Sequence, residues 1–316
     1  MLKILIYTDG TPAADRALRF AAGLKQRCPE SELAVITVRS GTHAAEEPPP
    51  VGREIALTEA AALSAGLRIL AAAVESLVAQ AVLERPPGIT LSDMPKGHMF
   101  VGKGLDGARI PFYESFGPFV ETLNREVDEH GYDLLIVAPP QRGKLGRIVR
   151  GDTTRKLALD LHTSLLVVRG GGPESRYLVC ADGSVAARRQ FPMLRLLLPA
   201  IGPPVDLICV QEPDMDAQRL QAAQECLQHA RDWLGACGKQ GTIVMKAGSV
   251  PAEEILAAAG QDTVIVMGAS LRHDVYRRML GSLPMQIMAR TAASVLLVKR
   301  PPEADADFMK DPMACR

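Results

Sequence analysis

Ile4-Leu5-Ile6-Tyr7-Thr8-Asp9-Gly10-Thr11 returns later in the chain as Tyr177-Leu178-Val179-Cys180-Ala181-Asp182-Gly183-Ser184. Each copy is a short apolar run that ends in Asp-Gly-hydroxyl and leads into a helical pattern. A second block also recurs. Leu134-Leu135-Ile136-Val137-Ala138 and Ser164-Leu165-Leu166-Val167-Val168 bracket a basic loop with Gly151-Asp152, and Val264-Ile265-Val266-Met267-Gly268 and Ser294-Val295-Leu296-Leu297-Val298 bracket a loop with Gly281-Ser282. A repeat longer than a hundred residues is a duplicated domain rather than a solenoid. It also points to a site, because each loop leaves the carboxyl end of a strand and opens a helix.

The second copy reads cleanly. Strands are expected over 176–181, 205–210, 242–246, 264–267 and 294–299. Helices are expected over 185–199 despite Pro192, 216–237, 251–259 and 283–291. Pro251, followed by Glu253 and Glu254, suits a helix N-terminus. Apolar strands alternating with helices are the pattern of a parallel sheet covered on both faces. The first copy has the same ends and a longer middle. Asp9 and Asp182 are 173 residues apart and Gly151 and Gly281 only 130, so the first copy carries 43 extra residues, which must lie within 39–117. There a helix is expected over 57–83 and an irregular excursion elsewhere, before a helix at 118–130. Gly170-Gly171-Gly172-Pro173 has the composition of a flexible joint. The domains are therefore drawn at 1–170 and 174–300, with a loose tail over 301–316.

The 316 residues balance 36 basic against 36 acidic side chains, which leaves no footprint for nucleic acid. No apolar run approaches the roughly 20 residues that span a bilayer. With no signal peptide in view, a cytoplasmic protein is expected. The six cysteines form no CxxC and the six histidines no HxH or HExxH, so reduced thiols and no metal are expected.

Two motifs could carry chemistry. Asp9 and Asp182 close the first strand of each copy, where a carboxylate can accept hydrogen bonds from a ribose or hold a hydrated cation. Alternatively, Asp-Gly only makes the turn and caps the next helix. The loop after the fourth strand reads Gly268-Ala269-Ser270-Leu271 and, nine residues on, Gly281-Ser282; its counterpart reads Ala138-Pro139-Pro140-Gln141 and then Gly151-Asp152. Glycines let a phosphate approach backbone amides, and a hydroxyl at a helix N-terminus can meet a phosphate oxygen. The basic residues near both loops read equally as solvated surface. Neither loop holds the Gly-Lys-Ser/Thr of a P-loop, and no Gly-x-Ser-x-Gly, Ser-His-Asp or Cys-His set is present.

Taken in order, these motifs resemble the universal stress protein family, over nearly all of 176–300 and of 1–170 outside the long middle. The resemblance implies two tandem doubly wound α/β domains, each a five-stranded parallel sheet of order 3-2-1-4-5 with helices on both faces. It implies a role in stress survival and, in some members, ATP at the crevice. Carried over residue by residue, Asp182, Val210, Gly268, Gly281 and Ser282 match nucleotide-binding positions, while Leu271 replaces a glycine. In the first copy Asp9, Val38 and Gly151 match; Ala138, Gln141 and Asp152 do not, and Asp152 would set a like charge against phosphate.

The expected function is a stress-response module that binds ATP, with magnesium, weakly in its second domain. The alternative is a nucleotide-free adaptor whose surfaces recruit protein partners. Slow hydrolysis ranks last, since no residue stands out as a base or water-orienting group. The two domains are expected to pair as an intramolecular pseudo-dimer, with 164–168 and 294–298 covering each other's exposed edges.

Overall fold

The structure, a computed structural model, describes residues 1–40, 51–139, 151–202, 204–269 and 283–299. Two compact units divide the chain, Met1–His162 and Thr163–Arg316.

The first unit runs β1 (Lys3–Tyr7), α1 (Pro12–Arg27), β2 (Glu32–Arg39), β3 (Glu54–Ile55), α2 (Leu57–Leu63), α3 (Ala65–Ala79), β4 (Ile89–Thr90), β5 (Ser92–Met94), β6 (Gly97–Lys103), β7 (Arg109–Phe116), α4 (Phe119–His130), β8 (Leu134–Val137) and α5 (Gly151–Asp160). Its sheet is ordered β8-β1-β2-β7-β6-β5. The first four strands are parallel. β6 and β5 extend the sheet by antiparallel pairing, with Gly97 opposite Ser115 and Lys103 opposite Arg109. β3 and β4 form a separate two-stranded ribbon. Strands β1 and β8 are buried almost throughout, as a sheet covered on both faces requires. Helices α1 and α3 pack together, and so do α4 and α5. That division follows from right-handed crossovers: connections running outward along the sheet lie on one face, and those returning past β1 lie on the other.

The middle segment is more regular than its sequence suggests. The stretch read as an irregular excursion supplies β7, the third strand of the parallel set, and the β5–β6 extension. The expected helix 57–83 is two helices broken at Ser64. Ser64 has extended backbone, and its Oγ accepts the Leu67 amide at 2.9 Å, so it is the N-cap of α3. Its hydroxyl also donates to Glu114 Oε1 at 2.7 Å. Glu114 lies on β7 with no exposure, beside His98 Nδ1 at 3.3 Å and Arg39 Nη1 at 3.6 Å. Burial pushes the Glu114 carboxyl up, but hydrogen bonds from His98 and Ser64 and the charges of His98 and Arg39 outweigh it and hold the group below the ordinary glutamate range. One carboxylate thus ties the α2–α3 joint, β6 and the end of β2 to the third strand.

The second unit runs β9 (Ser164–Val167), β10 (Arg176–Cys180), α6 (Val185–Arg188), α7 (Gln190–Leu197), β11 (Val205–Gln211), α8 (Ala217–Ala236), β12 (Ile243–Ala247), α9 (Pro251–Ala258), β13 (Thr263–Gly268), α10 (Leu283–Arg290) and β14 (Ser294–Val298). Strands β12-β11-β10-β13-β14 are parallel in that order, the 3-2-1-4-5 arrangement. Antiparallel to β14 lies β9, with Leu166 opposite Leu296. The contacts are reciprocal. The Arg169 amide donates to Ser294 Oγ at 3.0 Å, and the Lys299 amide to Ser164 Oγ at 3.4 Å.

Two details correct the reading of this half. The helix expected over 185–199 is α6 and α7, broken at Arg189. The break leaves Pro192 in the first turn of α7, where its missing amide has no intrahelical partner to lose. The glycine joint is also tied down: the Gly172 amide donates to Ser175 Oγ at 2.9 Å and the Gly202 amide to the Pro173 carbonyl at 3.2 Å.

Candidate functional site

The two Asp-Gly-hydroxyl turns share one construction. Asp9 Oδ1 accepts the Thr11 amide at 3.0 Å and its hydroxyl at 2.6 Å, while Thr11 Oγ1 caps α1 through the Ala14 amide at 3.2 Å. Asp182 Oδ1 accepts the Ser184 amide at 3.0 Å, and Ser184 Oγ accepts the Ala187 amide at 3.2 Å. The aspartate therefore builds the turn and the hydroxyl residue caps the helix, a division of labour that spacing alone did not reveal. Between them Gly10 and Gly183 have φ of +74° and +76°. A Cβ at Gly183 would also stand 2.7 Å from the Ala222 carbonyl oxygen of α8. In both turns one carboxylate oxygen is engaged this way. Asp182 is exposed, so its second oxygen is available to a ligand.

In the second unit the turn opens on a cleft of about 240 Å³. The cleft lies beyond the carboxyl ends of β10, β11 and β13, where the strand order reverses direction. That is where open α/β sheets take their ligands. Asp182, Val210 and Gly268, from three different strand ends, line it together. Ile208, Met215, Ile255 and Met267 make its apolar wall, and Asp182, Glu212 and Arg219 are its charged lining groups. Arg219 Nη2 lies 3.9 Å from Glu212 Oε1. The volume falls just under the roughly 300–1,000 Å³ of small-molecule sites. The described wall thus combines an apolar surface with an exposed carboxylate, Asp182, at one strand end. Leu271, Gly281 and Ser282, the rest of the expected phosphate loop, lie outside the described residues.

Two thiols border the cleft. Burial, reinforced by Asp182, pushes Cys209 up to about 11 and Cys180 upward as well. Both are therefore neutral near pH 7 and unsuited to nucleophilic work. Gly268 has a packing role of its own. A Cβ there would sit 1.8 Å from the Ala186 carbonyl oxygen, so the residue must be glycine for α6 to close on β13.

The first unit treats the equivalent place differently. Tyr7 stands where the second unit has Cys180, and Phe119 opens α4 as Pro251 opens α9. Their rings meet edge to face at 4.8 Å. Burial, then Asp9, raises the Tyr7 phenol far above its ordinary value. Val38 is half-buried on β2 opposite Ser115, and Gly151 is the first residue of α5. Arg16 reaches the Pro139 carbonyl at 3.2 Å from α1. The two aromatic residues are the feature that motif matching missed. Aligning Tyr7 with Cys180 at two residues before the shared aspartate would have exposed it.

Among the described residues no helix is long and apolar enough to cross a membrane. A profile of the universal stress protein family matches residues 1–169. No curated protein matches the chain. Among solved structures, a universal stress protein from Archaeoglobus fulgidus DSM 4304 is similar at 19% identity and a TM-score of 0.60, over 95% of this chain and 96% of that one. A functionally unknown protein from Pseudomonas aeruginosa PAO1 is similar at 16% identity and a TM-score of 0.54, over 98% and 95%. At these identities the likeness is one of fold, and it extends over both repeats. With the family profile spanning more than half of the residues and an α/β doubly wound fold beneath it, the chain belongs to the universal stress protein family.

Proposed function

We propose that this stress-response protein binds an adenine nucleotide weakly in its second unit and acts as a cytoplasmic regulatory module rather than a catalyst. The observation that carries the reading is the convergence of Asp182, Val210 and Gly268 on one cleft at the switch point of the sheet. The described lining holds two carboxylates and one guanidinium, so a polyphosphate would enter with magnesium to offset its charge. The first unit is the poorer candidate, because Tyr7 and Phe119 bring two rings together at the corresponding place. The same reading takes the repeats as a covalent pseudo-dimer, since a duplicated domain is the covalent form of a homodimer and such dimers commonly keep a two-fold. Free thiols at Cys28, Cys180, Cys209, Cys226 and Cys237 suit a reducing compartment.

Calorimetric titration with ATP and magnesium tests the assignment. The intact protein should bind, and Asp182→Ala should weaken binding about 10- to 100-fold, the equivalent of about 1.5–3 kcal/mol for a charge-assisted hydrogen bond. Tight binding that Asp182→Ala leaves unchanged would place the nucleotide elsewhere. No binding at all would favour the second reading, a nucleotide-free adaptor. That reading draws on the β5–β6 extension in the middle segment of the first unit, which has no counterpart among the described residues of the second.

A further inference from the structure

The last turn of α4 carries Glu126, Glu129 and His130, spaced i, i+3 and i+4 and therefore on one face. One ligand atom from each lies within 4.8 Å of the others. Glu129 and His130 are exposed, and Glu126 is 1% exposed. The two oxygens of Glu126 are treated unequally. Oε1 accepts from Ser115 Oγ at 3.3 Å and faces Arg125 Nη2 at 3.2 Å. Oε2 is buried and has no hydrogen-bond partner among the described residues, and it lies 3.8 Å from His130 Nδ1. A buried carboxylate oxygen left without a donor is costly, and a cation is one remedy.

Other features of the turn favour a cation. It is the carboxyl end of a helix, where the peptide dipoles attract positive charge, and Gly131 closes it in the left-handed conformation. The His130 ring is flanked by Tyr113 and Tyr132, with centroids 5.5 and 5.8 Å away, which restricts its orientation. From these contacts we infer that Glu126, Glu129 and His130 form a site for a divalent transition-metal cation, with zinc as the best-suited probe. Two carboxylates and one imidazole are ordinary zinc ligands, and three protein ligands leave a position for solvent. His130 Nδ1 contacts the Glu126 carbonyl oxygen at 3.1 Å, which leaves Nε2 as the ring nitrogen for the metal. The plainer arrangement is the direct contact of His130 with Glu126, which needs no metal.

The experiment is titration of chelator-treated full-length protein with zinc, followed by calorimetry, with cobalt absorption as a second readout. The intact protein should show a saturable site and a tetrahedral cobalt band. Glu129→Gln and His130→Gln, both at exposed positions, should each weaken zinc binding at least tenfold and remove the band. Asp128→Asn, an exposed neighbour that pairs with His162 instead, should leave both unchanged. Absence of saturable binding in the intact protein would overturn the proposal in favour of the simple ion pair. Binding that survives both ligand substitutions would overturn it too, by placing the metal on other groups such as the cysteines.

Discussion

Gly268→Ala separates a glycine kept for a ligand from a glycine kept for packing. The new Cβ would lie 1.8 Å from the Ala186 carbonyl oxygen and 2.5 Å from its carbon, both inside the 3.0 Å that real Cβ atoms keep. Both obstacles are backbone atoms, so no side-chain rotation relieves them. β13 is held between β10 and β14 and cannot retreat easily. The short helix α6 must therefore move. Overpacking costs about 1–3 kcal/mol, and a backbone clash belongs in the upper part of that range. For a domain near 150 residues each kcal/mol shifts the melting temperature by about 2–4 °C, so a cost of about 2–3 kcal/mol predicts a fall of about 4–12 °C. The assay is calorimetric melting without nucleotide. Displacement of α6 should also disturb the Ser184 cap and the Asp182 turn, so nucleotide affinity should fall in the same variant. Unchanged melting together with lost nucleotide binding would refute the packing argument and return Gly268 to the ligand.

Glu114→Gln should cost about 2–3 kcal/mol at neutral pH by weakening charge-assisted contacts to Ser64, His98 and Arg39, read by urea unfolding. The folded-state pKa of Glu114 is depressed, so its contribution is present above the unfolded value of about 4.3 and is lost as pH falls below it; the glutamine variant should show a shallower acid limb, and parallel curves would exclude the carboxylate as the cause. Asp206→Ala should cost about 1–3 kcal/mol in the same assay, because it removes the contact of Arg176 Nε to Asp206 Oδ2 at 2.6 Å and the acceptor of the Thr242 amide and hydroxyl, which donate to Oδ1 at 2.7 and 2.9 Å, while the partly exposed Arg176 keeps its bond to the Ala258 carbonyl. A loss below about 1 kcal/mol would show that these contacts are replaced by water.

The sequence made the second unit legible because its strands are apolar runs separated by turn residues and its helices have periodic faces. The five strands and their order need only that pattern and the family's topology. The first unit resisted for identifiable reasons. Gly97, Gly102, Gly104, Gly107 and Pro111 read as loop punctuation, yet all but Gly104 and Gly107 lie within β6 and β7. Gly102 is there because a Cβ would meet Leu83 at 2.7 Å and Phe112 at 3.1 Å. Glu114 is a charge within a buried strand, and its partners Ser64, His98 and Arg39, from three other segments, make its burial tolerable. Ser64 looked like one more small residue in an Ala- and Leu-rich helix, and its capping role depends on backbone that periodicity does not encode. Candidate site residues behaved likewise. The cleft could be located from Asp182 and the strand ends, while the meeting of the Tyr7 and Phe119 rings is a contact between residues more than a hundred positions apart.

That contact bears on what duplication has done here. Both units keep the Asp-Gly-hydroxyl turn, because it joins strand to helix whether or not a ligand is present. The turn is therefore poor evidence for a ligand in either unit, and the match of Asp9 to Asp182 says little by itself. The discriminating positions are those the turn does not need. At two of them the first unit has Tyr7 and Phe119, which bury rings against each other, and the second has Cys180 and Pro251, which border a cleft. The first unit also adds β6 and β5 to the outer edge of its sheet, where the second ends at β12. Its β5–β6 extension and its aromatic pair both add packing, and its turn gains the Thr8 hydroxyl, which accepts the Gly10 amide at 3.2 Å where the second unit has Ala181. The second unit keeps its apolar wall and exposed carboxylate open at the switch point. These non-shared residues, rather than the common turn, are the ones that distinguish the two repeats: packed rings in the first, an open cleft in the second.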